Sequence, residues 1–107
     1  MSVLAVIPAR MGSKRVPLKN RALVGGQSLV ARALRAAQGS KVNEVVVTSD
    51  DPEILLLAHD RHAFTIDRPA DLAQDDTPMA PVIRHAIDVM EAKVHDRYEY
   101  VVILEPP

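Results

Sequence analysis

An α/β sandwich built on a mainly parallel sheet is predicted by two features of the chain. Four short runs rich in Val, Ile, Leu and Tyr, at Val3–Ile7, Glu44–Thr48, Ala63–Ile66 and Tyr98–Leu104, have strand character. Segments with apolar residues at helical spacing separate them, and alternating strands and helices bring parallel strands together. The run Val45-Val46-Val47 is apolar without alternation, as in a strand covered on both faces.

The elements follow in order. Val3–Ile7 forms the first strand and runs into a basic loop. Leu29, Val30, Ala33, Leu34 and Ala37 share one helical face, with Ser28 as N-cap and Gly39 as the stop. After the strand Glu44–Thr48, Asp51 caps a second helix. Pro52 fits its first position, and Glu53 faces the positive helix end. Ile54, Leu55 and Ala58 carry that helix to about His62, before the strand Ala63–Ile66 and a loop from Asp67 to Thr77. A third helix spans about Pro78 to Ala92, with Val82, Ile83, Ala86, Ile87 and Met90 as its apolar stripe. Thr77 is the expected N-cap. Pro81 removes an early backbone donor and moves the regular helix towards itself. Tyr98–Leu104 is the last strand, followed by Glu105-Pro106-Pro107.

A chain of 107 residues supplies one small domain. There is no Cys, which removes disulfide frameworks and thiolate zinc sites. His59, His62 and His95 lack metal-ligand spacing, and His85 reads as a helix-face residue. No apolar run approaches the roughly 20 residues of a membrane span, and the N-terminus lacks the pattern of a signal peptide. The expected setting is cytoplasmic, with no membrane partner.

The net charge of −1 conceals an asymmetry. Residues 1–43 carry eight Lys or Arg and no acid, whereas residues 44–107 carry all fourteen acids and five Lys or Arg. A +8 segment beside a −9 segment points to an anionic partner for the first. The aromatic residues are Phe64, Tyr98 and Tyr100, all outside the basic segment. That excludes a base-stacking surface there, and with it the usual single-stranded nucleic-acid platform.

The basic charge concentrates in residues 7–20, Ile-Pro-Ala-Arg-Met-Gly-Ser-Lys-Arg-Val-Pro-Leu-Lys-Asn. Ligands of parallel α/β sheets gather at the carboxyl ends of the strands. This loop, the Thr48–Asp51 turn and Glu105 all fall there. The loop is not a Walker A motif, because it lacks Gly-x-x-x-x-Gly-Lys-Ser/Thr, and it has no Gly-x-Gly-x-x-Gly. Phosphate binding would rest on Lys and Arg side chains and on backbone N–H groups around Gly12 and Ser13. A merely solvated basic loop is the alternative on charge alone.

The residue order favours the ligand. Ile7-Pro8-Ala9-Arg10-x-Gly12-Ser13-Lys14-Arg15-x-Pro17-x-Lys19-Asn20 resembles the N-terminal signature of the CMP-sialic acid synthetases, the acylneuraminate cytidylyltransferases. Gly26-Gln27-Ser28-Leu29 is similar to that family's lead into its first helix. Val45-Val46-Val47-Thr48-Ser49-Asp50-Asp51 is similar to its Val-Ser-Thr-Asp-Asp strand end, and Arg68-Pro69-Ala70-Asp71-Leu72-Ala73-x-Asp75 to its next loop. His85 stands where many members have His.

The resemblance implies a nucleotide-diphospho-sugar transferase-like, Rossmann-like three-layer fold. It also implies transfer of a cytidylyl group from CTP to a 2-keto sugar acid, with release of pyrophosphate. By the same resemblance, Arg10 and Lys19 hold the triphosphate as the catalytic pair. Pro8, Ala9, Gly12, Ser13, Lys14, Asn20, Arg68 and Thr77 line the nucleotide site, and Lys14 and Arg15 guide pyrophosphate. Magnesium is the implied cofactor, with ligands expected beyond residue 107 and none within the chain.

Two residues depart from the family. Glu105 stands where members carry a sugar-binding Gln, and Met79 stands near Thr77 where members often carry Ser. Members are also longer. Residues 1–107 are therefore expected to form one partial domain, the nucleotide-binding half, ending after the fourth strand. The exposed edge of that strand predicts a homodimer or other self-association. A CMP-Kdo or spore-coat polysaccharide type of nucleotidyltransferase is one alternative. A non-catalytic CTP-binding module is another.

Overall fold

A computed structural model describes residues 2–10, 23–24, 27–74 and 76–106. The elements are β1 (Val3–Pro8), β2 (Leu23–Val24), β3 (Gln27–Ser28), α1 (Leu29–Gln38), β4 (Glu44–Ser49), α2 (Pro52–Asp60), β5 (Phe64–Asp67), α3 (Met79–Val94) and β6 (Tyr100–Ile103). Ala70–Leu72 forms a single 3-10 turn inside the loop expected from Asp67 to Thr77.

The main sheet has the order β5-β4-β1-β6, and every pairing in it is parallel. Side chains alternate across it. Ala5, Ile7, Val45 and Val47 face α1 and α2 through Val30, Leu34, Ala37, Ile54 and Ala58. Leu4, Val6 and Val46 face α3 through Ile83, Ala86 and Met90. The continuous apolar run of β4 thus serves two cores, one on each face, and the molecule is a three-layer α/β/α sandwich.

The strand order reverses at β1. The chain leaves β1 for β4 on one side and returns from β5 to β6 on the other. Such a reversal opens a crevice outside the carboxyl ends of the strands. Pro8 helps to open it. The Ala9 N–H donates to the Thr48 carbonyl of β4 (3.0 Å), while the Leu104 N–H donates to Val6 on the β6 side (2.9 Å). Alternate residues of a strand face opposite neighbours, so Pro8 faces β6. With no N–H to give, it ends that ladder.

Local chemistry explains the helix starts. The Asp51 side chain accepts from the Glu53 N–H (3.0 Å), and Pro52 occupies the first turn of α2, as expected. At α3 the expectation is corrected. Pro78, not Thr77, is the N-cap and makes no side-chain capping bond, while the Thr77 hydroxyl accepts from the Gln74 N–H (3.0 Å). A bond inside the preceding loop competes successfully with the cap. Pro81 sits in the first turn of α3, where few intrahelical donors are needed, so the helix begins at Met79. The antiparallel β2–β3 pair before α1 was not anticipated, because two-residue strands leave no periodicity to read. Helix α2 ends at Asp60, not His62. The left-handed residues that follow α2 and α3 are His62 (φ 64°) and His95 (φ 58°).

Candidate functional site

The carboxyl ends of β1, β4 and β5 converge around the carbonyl of Thr48. That oxygen accepts from the Ala9 N–H (3.0 Å) and from Nη2 of Arg68 (2.8 Å). Arg68 Nε also donates to Thr48 Oγ1 (3.3 Å), and Nη1 to the Leu72 carbonyl (3.5 Å). The Arg68 backbone N–H donates to Ser49 (2.8 Å), continuing the β4–β5 ladder. Arg68 is only 6% exposed. The local sequence explains this: Ile66 packs against α3, and the residue two further on returns to the same face of the sheet.

Electrostatics tie three residues together. Burial pushes the Arg68 pKa below the ordinary arginine value, the Asp50 carboxylate works against that shift, and the nearby Arg10 cation adds to it. Arg68 thus feels both a cation, Arg10, and a carboxylate, Asp50. Asp50, Asp67, Arg68, Pro69, Ala70, Ala73 and Gln74 line a cleft of about 510 Å³, within the range of small-molecule sites.

The other expected residues distribute as follows. Pro8 and Ala9 are buried at the end of β1, and Arg10 follows them, partly exposed. Gly12, Ser13, Lys14, Arg15, Lys19 and Asn20 lie outside the described residues. Thr77 does not line the cleft. Glu105 is exposed beyond β6, at the opposite edge of the sheet from Arg68. Three strand spacings separate those edges, about 14 Å. Asp51 serves as the helix cap, whereas Asp50 faces the cleft. Arg68 braces its loop through Thr48 and Leu72. Thr48 was the residue hardest to foresee. Its signal is a polar side chain directly after the apolar run Val45-Val46-Val47.

No group of three or more His, Asp or Glu side chains suited to a metal ion occurs among the described residues. Among the described residues no helix is long and apolar enough to cross a membrane.

The sequence model of the family described as "Cytidylyltransferase" matches residues 4–97. The chain belongs to that family. Relatives include 3-deoxy-manno-octulosonate cytidylyltransferase of Polynucleobacter necessarius, 41% identical over 66% of this chain and 32% of that protein. Pseudaminic acid cytidylyltransferase of Campylobacter jejuni is 34% identical over 97% of this chain and 45% of that protein. N-acylneuraminate cytidylyltransferase of Escherichia coli is 32% identical over 97% and 24% respectively. These relatives are named for three different keto sugar acids, so the sialic acid type is not singled out within the family. The solved structure of CMP:2-keto-3-deoxy-manno-octonic acid synthetase complexed with CTP superposes with a TM-score of 0.71 at 23% identity. It covers 99% of this chain and 40% of that one. The fold is therefore shared with a nucleotide-sugar-forming cytidylyltransferase. The chain spans less than half the length of these relatives.

Proposed function

We propose that residues 1–107 supply the CTP-binding part of a cytidylyltransferase that charges a 2-keto sugar acid of the N-acylneuraminate type. The anomeric hydroxyl oxygen of the sugar bonds to the α-phosphorus of CTP. The bond from that phosphorus to the bridging oxygen breaks, the hydroxyl proton is lost, and pyrophosphate leaves. Such a reaction depends mostly on alignment and on neutralising phosphate charge. Arg10 meets the triphosphate at the end of β1, with Lys19 as the strongest candidate for the charge that develops on departure and Lys14 beside pyrophosphate. Gly12 and Ser13 contribute backbone N–H groups, and Pro8, Ala9 and Asn20 form the nucleotide surround, braced by Arg68 and with Thr77 on the adjoining loop. Glu105 stands on the sugar side. Magnesium is the proposed cofactor and would neutralise phosphate charge. The proposed setting is the cytoplasm.

The observation that carries this reading is the grouping of Arg10, Arg68 and Asp50 at the carboxyl ends of β1, β5 and β4, within a chain matched from residue 4 to 97 by the family. One observation favours a CMP-Kdo type instead: the superposed synthetase and the Polynucleobacter relative are both named for that sugar acid. Pyrophosphate release from CTP and magnesium with a panel of keto sugar acids separates the two. Turnover with N-acetylneuraminate or a close relative supports the first, and turnover with Kdo alone supports the second. CTP binding without turnover on any sugar acid supports the non-catalytic module. Lys19→Ala should abolish release, and retained turnover contradicts the role given to Lys19.

A further inference from the structure

We propose that Arg68 is a positioning residue whose guanidinium, clamped on Thr48, fixes the carboxyl end of β1 and thereby aims Arg10 at the ligand. The proposal rests on the reading of this end of the sheet as the nucleotide site.

The clamp has a specific geometry. A carbonyl oxygen has two lone pairs, and at Thr48 one receives the Ala9 N–H (3.0 Å) and the other Arg68 Nη2 (2.8 Å). Ala9 is joined directly to Arg10. The orientation of the Thr48 peptide therefore passes to Arg10 through a single hydrogen bond and a single residue. Arg68 grips β4 twice more, through Nε to Thr48 Oγ1 (3.3 Å) and through its own N–H to Ser49 (2.8 Å). Its Nη1 reaches the Leu72 carbonyl (3.5 Å), next to the cleft residue Ala73. Three of its five side-chain N–H groups are thus engaged by the protein. The side chain is almost fully buried, so it acts on a ligand chiefly by holding other residues. Lysine cannot replace it, because one ammonium cannot follow this fork of acceptors.

Two measurements test the proposal. In the first, the affinity for CTP with magnesium is measured for the chain, for Arg10→Ala, for Arg68→Gln, and for the double variant. Each single change should weaken binding about tenfold, the scale of one charge-assisted hydrogen bond. The double variant should bind no more than about twofold worse than Arg10→Ala, because both changes disable one group. A fully additive loss, about a hundredfold, means that Arg68 meets the nucleotide independently and overturns the proposal.

The second measurement needs no ligand. Hydrogen exchange at the Ala9 amide should quicken about tenfold in Arg68→Gln. The Asn43 amide, bonded to Val3 at the other end of β1 (2.9 Å), serves as the control and should not change. Unchanged Ala9 exchange overturns the proposal. If wild type fails to bind CTP, the nucleotide reading falls and this exchange result alone decides the role of Arg68. Arg68→Lys keeps the charge and should keep both defects, whereas full recovery in that variant contradicts a geometric role. Should Arg68→Gln lose protection at Asn43, and hence its fold, the lysine variant carries the exchange comparison.

Discussion

Tyr98 shows how one side chain can tie the start of an edge strand to its neighbours. Its hydroxyl donates to Glu44 (2.7 Å), and its backbone N–H donates to the Glu91 carboxylate (2.9 Å). These bonds join the approach to β6 with the start of β4 and the end of α3, at the edge of the sheet away from the cleft. Burial, above all, and then the hydrogen bond to Glu44 with the charges of Glu44, Glu91 and Asp96, hold the phenol well above its ordinary pKa of 10.0. A group whose folded pKa is raised stabilises the fold fully below its unfolded pKa and loses that contribution as pH climbs past it. Urea titrations should therefore show the stability difference between wild type and Tyr98→Phe constant up to about pH 9 and shrinking above about pH 10. A difference that stays constant to pH 12 contradicts the assigned hydrogen bond.

Helix α2 can be followed from sequence to structure in detail. Asp51, Pro52 and Glu53 announce its start, and the Asp51 carboxylate caps the Glu53 N–H while its own N–H receives support from Ser49 Oγ (3.0 Å). Asp51→Ala should cost about 1 kcal/mol, the usual worth of an N-cap, and chemical denaturation should show the loss without change in slope. Leu34 of α1, fully buried between helix and sheet, should cost about 3 kcal/mol when changed to Ala. A cost below about 1 kcal/mol means that the two-faced core is wrongly drawn.

The four strands of the main sheet and the three helices were legible from apolar or strand-forming runs and from helical stripes. The start of α3 was not. Thr77 satisfies every local rule for a cap, yet its hydroxyl is drawn to Gln74, a choice made by the loop. At Arg68, a buried guanidinium satisfied by carbonyls is invisible to a reading based on charge.

Across the molecule, charge and edges set the remaining expectations. The +8 segment ends before β4 begins, and Arg10, in the described part of its loop, lies close enough to Arg68 to affect its charge. The convergence of strand ends was foreseen from topology. The dependence on Thr48 was not, because it rests on one carbonyl. Beyond β6, no further strand occurs among the described residues, and Tyr100, Val102 and Ile103 are 58%, 41% and 46% exposed. Val102 lies on the α1 side and Ile103 on the α3 side, in register with Ala5 and Val6 respectively, so both faces of this edge lack cover. An exposed apolar edge recruits another chain. Sedimentation should show self-association at roughly tens of micromolar, while a stable monomer at that concentration speaks against it.

The central proposal is that the carboxyl end of β1 binds a cytidine triphosphate. Calorimetry of the chain with CTP, ATP and GTP, each with magnesium, tests it most directly. Saturable binding that prefers CTP, and that weakens about tenfold in Arg10→Ala, is the expected result. Equal affinity for all three nucleotides, or CTP binding that survives Arg10→Ala unchanged, would contradict it.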